Sequence, residues 1–202
     1  MQPQFPYTQG ALIHKFESIL DPLNLANLYP QQQPTELELG AGDGSFLVQY
    51  AKLHPEHNFL GLERLLGRLR KIDKKSQRAG LQNVKLVRIE ASYFLRYLLP
   101  EKSITAIHVY FPDPWPKRKH RKNRLVNEEF TELARRVLVS NGIIHLRTDD
   151  VDYFQQMNRV FDANPAFEKI EPPEALLQVR TDFERNFHLR GVPTQAVSYR
   201  SK

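Results

Sequence analysis

Phe111, Pro112, Asp113, Pro114 and Trp115 open a run that continues through Pro116, Lys117, Arg118, Lys119, His120, Arg121, Lys122, Asn123 and Arg124. One carboxylate stands in a proline frame beside the only tryptophan. Each proline fixes its own φ and offers no backbone donor, so the segment is neither a helix interior nor a central strand. A stiff loop of this kind can hold a carboxylate against the N–H groups of a ligand. Trp115 can pack into a core or serve as a platform for a base. Lys117, Arg118, Lys119, Arg121, Lys122 and Arg124 follow at once, and such a density of cations suits a polyanion whose phosphates they would hold. The apolar stretch from Ile104 to Tyr110 leads into the loop and reads as a strand. The loop therefore falls at a strand's C-terminal end, where open α/β sheets bind ligands.

A second constellation lies earlier. Glu38, Leu39, Gly40, Ala41, Gly42, Asp43 and Gly44 separate a short strand from a helix. Glycines at alternate positions allow a tight turn and a close backbone approach to a ligand. The dinucleotide fingerprint spaces its glycines differently and places a pyrophosphate on the helix N-terminus. Here Glu38 and Asp43 bring negative charge, which suits a ligand of sulfonium or ammonium character. Glu63 closes the second strand, in the register where an acid accepts both ribose hydroxyls. At the end of the third strand Glu90, with Ala91 and Ser92, either contacts an adenine or caps the helix that follows.

The elements that position these residues alternate. Strands are predicted over 35–39, 58–62, 84–89, 104–110 and 143–146, with helices over 45–53, 64–79, 92–98, 127–138 and 150–161. Asn127 is a helix cap, and Asn141-Gly142 is expected to end that helix. Repeated βα alternation predicts an α/β fold with a mostly parallel, doubly wound sheet. Ala196 to Arg200 reads as an antiparallel strand near the C-terminus, at the sheet's edge. A single domain over 31–202 is expected, with residues 1–30 an arm or lid. The second helix carries Arg64, Arg68, Arg70, Lys71, Lys74, Lys75 and Arg78. These point several ways and read mainly as a solvated face.

Composition narrows the function. Lys and Arg total 29 against 23 Asp and Glu, a net charge of +6, which favours an anionic partner. No cysteine is present, so thiol catalysis, disulfides and cysteine-ligated metals are excluded. The histidines lack metal-ligand spacing, so no metal is expected. No apolar run is long enough to span a membrane, and the start resembles no signal peptide, so a cytoplasmic protein is expected.

Taken together, these residues resemble the tRNA (guanine-N7-)-methyltransferase family. The resemblance runs from about Glu36 to Arg200. It is carried by Glu38 to Gly44, by Gly61-Leu62-Glu63, by the Pro-Asp-Pro-Trp run with Lys117, by Arg147-Thr148-Asp149, and by Thr181-Asp182-Phe183-Glu184. It implies a Rossmann-like methyltransferase domain that uses S-adenosylmethionine to methylate N7 of a guanine in tRNA, in the variable loop. It implies cofactor contacts at Glu38, Glu63, Glu90 and Asp113. Gly40, Gly42 and Gly44 of the loop and the neighbouring Arg64 and Ala91 complete that set. Substrate contacts are implied at Lys117, Asp149, Thr181 and Glu184, to which the basic run adds Lys119 and Arg121. Asp113 is the expected catalytic group, with cofactor contact as its competing or additional role. Glu90 stands where Asp or Asn is usual, and Asp182 where Lys is common. Thr181 with Glu184 also reads as a helix capping box. The expected assembly is a monomer or a homodimer.

Three other readings fit parts of the pattern. Another methyltransferase on the same fold would differ in the atom methylated. A nicotinamide oxidoreductase is disfavoured by the glycine spacing and the loop acids. A non-catalytic RNA-binding module would leave Glu38 and the glycines without a purpose.

Overall fold

Strands buried on both faces usually read as continuous apolar runs, but the first strand here buries Glu36 and Glu38 between its leucines. The computed structural model describes residues 8–202 and divides into two compact units, Met1–Pro100 and Glu101–Lys202. In the first unit, β1 (Thr35–Leu39) and β2 (Asn58–Leu62) are buried at every position. The helix α1 (Ser45–Leu53) lies between them in sequence, and α2 (Leu66–Arg78) leads to β3 (Val84–Val87). β2 pairs in parallel with both β1 and β3. Leu47, Ala51, Phe59, Leu69, Ile72, Val84 and Leu86 form one core cluster. Gly61 is fixed by close approach, since a Cβ there would stand 2.6 Å from Leu47 and 3.1 Å from Leu86. β3 stops at Val87, short of the predicted Ile89. The helix expected over 92–98 is a single turn, α3 (Ala91–Tyr93), continued by π-type hydrogen bonding over Phe94–Leu98.

The first seven residues of the expected arm lie outside the described residues. The rest of that segment runs along the first unit. Gly10 and Leu12 donate backbone N–H bonds to the buried Asp73 carboxylate, at 2.7 and 3.1 Å. Ile13 bridges Leu86 in parallel, Leu23 N–H reaches Leu98 O at 2.7 Å, and Tyr29 donates to Phe59 O at 3.0 Å.

Between α1 and β2, His57 Nδ1 pairs with the buried Glu36 carboxylate. That hydrogen bond raises the His57 pKa above 6.5, against the opposing effect of burial. A raised folded-state pKa adds stability that is fully present below the ordinary value and is lost as pH rises through the folded value. Melting temperature should therefore fall as pH rises above about 6.5, and Glu36→Gln should flatten that part of the curve. The comparison is a pH series of melting curves for both proteins. Equal slopes would remove this pair as the cause.

The second unit opens on β4 (Ile104–Tyr110) and continues with α4 (Glu128–Val137). Asn127 Oδ1 caps α4 by accepting Phe130 N–H at 2.9 Å. α4 passes straight into β5 (Leu138–Thr148), so Asn141-Gly142 does not end the helix as expected. It lies inside the strand, where Asn141 takes φ 62° and the β4–β5 register shifts between Ile104 and Ala106. The strand bulges there and resumes parallel pairing at Ile143.

Next come α5 (Val151–Asp162), β6 (Phe167–Ile170), α6 (Glu174–Gln178), α7 (Asp182–Leu189) and β7 (Gln195–Ser201). β7 is antiparallel, as expected, but it is not an edge strand. It pairs with β5 on one side and β6 on the other. β6 escaped the sequence reading because four residues with two exposed charges, Glu168 and Lys169, carry little apolar signal. His108 and His145 face each other across β4 and β5 with rings 5.2 Å apart. Tyr110 Oη and Ser198 Oγ hydrogen-bond their Nδ1 atoms at 2.8 and 2.7 Å, so both rings are satisfied core residues.

Candidate active site

The glycine loop is built by left-handed backbone. Gly40, Gly42 and Gly44 have φ of 79°, 56° and 75°. An L-residue in that region costs roughly 1–2 kcal/mol. Gly40 and Ala41 donate to Leu62 O at 3.0 and 2.7 Å, which hooks the loop onto β2. The three glycines serve different ends. A Cβ on Gly44 would stand 2.8 Å from Ile72, so this residue lets α1 approach α2. A Cβ on Gly40 would meet nothing within 4 Å, and one on Gly42 only Gly40 O at 3.9 Å. Those two leave the loop's outer surface open to a ligand.

Two acids flank this surface, Glu38 at 4% exposure and Glu63 at 7%. Glu63 accepts Gly42 N–H at 3.1 Å through Oε2 and Leu65 N–H at 2.8 Å through Oε1. One carboxylate thus ties the glycine loop to the start of α2. Asp43, expected to add negative charge, is offset locally. Lys75 Nζ lies 2.7 Å from its carboxylate, and Ser45 N–H donates to it at 3.1 Å. Glu90 is exposed and caps α3, accepting Ser92 and Tyr93 N–H at 2.9 and 2.7 Å. Ala91 begins that helix. Arg64 is exposed, and its carbonyl accepts Arg88 Nε–H at 3.1 Å.

In the second unit, the Pro-Asp-Pro-Trp loop begins and ends on non-glycine residues in left-handed conformation, Phe111 at φ 51° and Trp115 at φ 43°. Asp113 is exposed, and Trp115 at 38% exposure is not a core residue. Phe111 N–H holds Arg147 O at 2.8 Å. The basic run forms a 3-10 turn over Arg118–Asn123 with Lys117 at its start. Lys117 and Lys119 are exposed, and Arg121 is paired at 2.9 Å with Asp152. Arg124 leaves the set of surface cations, because it is only 2% exposed.

The implied substrate residues near the C-terminus are turned inward. Thr181 Oγ1 accepts Glu184 N–H at 2.9 Å and caps α7. Glu184 does not return to the cap. Its Oε2 accepts from Arg147 Nη1 at 3.0 Å, with both side chains buried. Arg147 also donates to Val179 O and Leu176 O, at 2.9 and 2.6 Å, and lies 4.4 Å from the Tyr110 ring. Asp149 is half-buried at the end of β5, and the next residue, Asp150, caps α5.

Arg124, Arg147 and Asp152 organise this unit, and sequence reasoning gave them no such roles. Arg147 left one signal, a charge directly after the short strand predicted over 143–146. Arg124 sat within a basic run and offered none.

A family model described as a putative methyltransferase matches residues 32–196. A tRNA (guanine-N(7)-)-methyltransferase from Nitrosococcus oceani is 33% identical over 171 residues, 84% of this chain and 72% of that protein. The chain belongs to the tRNA (guanine-N7-)-methyltransferase family. A relative of the same name from Chromohalobacter salexigens is 36% identical over 75% of this chain, a match that spans 62% of the relative's length. Among solved structures, the 16S rRNA methyltransferase KamB aligns with a TM-score of 0.63 at 16% identity, covering 87% of this chain and 91% of that one. An S-adenosylmethionine-dependent O-methyltransferase from Thermotoga maritima aligns at 0.58 and 14% identity, over 85% and 60% of the two chains. This family member has the Rossmann-like methyltransferase fold. None of its described helices is long and apolar enough to cross a membrane.

Proposed function

We propose that this chain transfers the methyl group of S-adenosylmethionine to N7 of a guanine in tRNA, acting in the cytoplasm as a monomer or a homodimer. The observation that carries this reading is the cradle at the end of β1, open at Gly40 and Gly42 and flanked by the buried acids Glu38 and Glu63. It fits a cofactor that joins a ribose to a cationic sulfur. Glu63 would accept ribose hydroxyls, and Glu38 and the two glycines would take the remainder, with Arg64, Glu90 and Ala91 at the adenine side. When bound, the cofactor supplies a methyl group made electrophilic by its sulfonium sulfur.

Guanine N7 presents an in-plane lone pair and carries no proton, so the chain needs no general base. Its task is alignment, which can supply a large share of a barrier reduction. Asp113 accepts the guanine N–H groups, orients the base and raises electron density in the ring. Trp115 offers a stacking face to a base that must leave its stack to react. Lys117, Lys119 and Arg121 hold phosphates, with Asp149 beside the base. Thr181 and Glu184 support this surface from within, through the α7 cap and Arg147.

The deciding experiment incubates labelled S-adenosylmethionine with unmodified tRNA and maps the nucleosides. Label in N7-methylguanosine is expected, and label on another atom, or none, overturns the reading. Replacing Lys119, Arg121 and Lys122 with Ala should lower tRNA affinity and reduce the salt slope by about 0.7–0.9 for each phosphate no longer neutralised. Cofactor affinity should stay at the parental level. A parental salt slope would take this run out of the RNA interface.

A further inference from the structure

Asp113 lies between two prolines, so its own ψ is restricted by the residue that follows it. The loop around it starts and ends on left-handed non-glycine residues, Phe111 and Trp115. Such residues are strained and persist only where the surroundings over-determine them. The surroundings here centre on one side chain. Arg124 is 2% exposed, and its Nε donates to Pro114 O, the carbonyl directly after Asp113, at 2.7 Å. Its other nitrogens donate to Gln156 Oε1 at 2.9 Å and Asp152 Oδ2 at 2.7 Å, and its guanidinium lies 4.7 Å from the Tyr153 ring. Asp152, Tyr153 and Gln156 all belong to the first turns of α5. Tyr153 and Gln156 also hold the backbone of Val126, at 2.9 Å each.

We propose that Arg124 is a positioning residue for the methyl transfer, fixing the Pro-Asp-Pro-Trp loop to α5 so that Asp113 is presented in one place. This rests on the function proposed above. The Asp152 carboxylate carries the link one step outward, because its Oδ1 holds the exposed Arg121 at 2.9 Å while its Oδ2 holds Arg124. A substrate phosphate that draws Arg121 away leaves Asp152 wholly to Arg124. RNA contact at the basic run then tightens the loop that carries Asp113 instead of loosening it.

Arg124→Lys keeps the charge but loses the planar fork that meets three acceptors at once. Trp115 is the only tryptophan, so its fluorescence reports this loop alone. In Arg124→Lys, acrylamide quenching of Trp115 should rise by about twofold, and kcat per folded molecule should fall about tenfold, the loss of one charge-assisted hydrogen bond. KM for tRNA should stay within about twofold of parental, since phosphate contacts set it. A purely structural role would lower the folded fraction and leave kcat per folded molecule unchanged. Asp152→Asn removes the partner charge from outside the core and should move both readouts the same way by a smaller factor. It also serves if Arg124→Lys does not fold. Arg121→Ala should lower tRNA affinity and leave quenching at or below the parental level. Parental quenching in Arg124→Lys (or in Asp152→Asn, should Arg124→Lys not fold), or a rise in Arg121→Ala as large as that in Arg124→Lys, overturns the proposal. If the parent protein fails to methylate tRNA, the functional reading fails instead, and Trp115 quenching still decides whether Arg124 fixes the loop.

Discussion

Asp113→Asn should slow methyl transfer by roughly ten- to a hundredfold while folding and tRNA binding stay near parental. The side chain is exposed, and the loop's described support comes from the backbone, through Phe111 N–H to Arg147 O and Arg124 to Pro114 O. The substitution therefore removes charge and one acceptor without touching those hydrogen bonds. A hydrogen bond to a charged group contributes about 1.5–3 kcal/mol, and each 1.4 kcal/mol or so is a factor of ten in rate. tRNA affinity should change little, because phosphate contacts dominate it. Single-turnover methylation at saturating cofactor, run beside a melting curve, separates the effects. A parental rate per folded molecule would leave the loop as scaffold and Asp113 without a catalytic role.

Gly42→Val should abolish cofactor binding in a protein that still folds. Two costs are involved, and they are measurable apart. The left-handed φ of 56° strains any L-residue, and a β-branched one most, which a melting curve reads as a loss of about 1–2 kcal/mol. An added Cβ meets only Gly40 O at 3.9 Å, so the new side chain starts on the open surface of the loop. Gly44→Ala is the contrasting variant. Its Cβ would stand 2.8 Å from Ile72, so it should cost about 1–3 kcal/mol of stability by overpacking. Titration with S-adenosylhomocysteine, followed by calorimetry, is the measurement. Undiminished affinity in folded Gly42→Val would sink the assignment of this loop to the cofactor.

Local pattern decided what could be read early. β1, β2 and β4 and helix α1 have the predicted bounds, because apolar periodicity and glycine or proline breaks mark them without help from distant residues. The glycine loop with Glu38 and Glu63 was legible for the same reason. Its chemistry depends on residue type at fixed offsets from a strand end. The Asn141-Gly142 stop and the strand Phe167–Ile170 were misread because neither is decided locally. A turn dipeptide becomes a bulge only when a partner strand pairs on both sides of it, and a short polar segment becomes a strand only when β7 is beside it.

The sequence by itself determined the alternating elements, the glycine turn at the end of β1, the carboxylate in its proline frame, and the family. These follow from torsional restriction, hydrophobic period and charge, all properties of neighbours along the chain. Only the tertiary structure decided which charges face outward. It buried Arg124 and Arg147, paired Lys75 with Asp43, and turned Thr181 and Glu184 from a surface to an interior support. A charged side chain enters a core only where several acceptors converge on it, and here those acceptors come from residues 10 to 37 positions away.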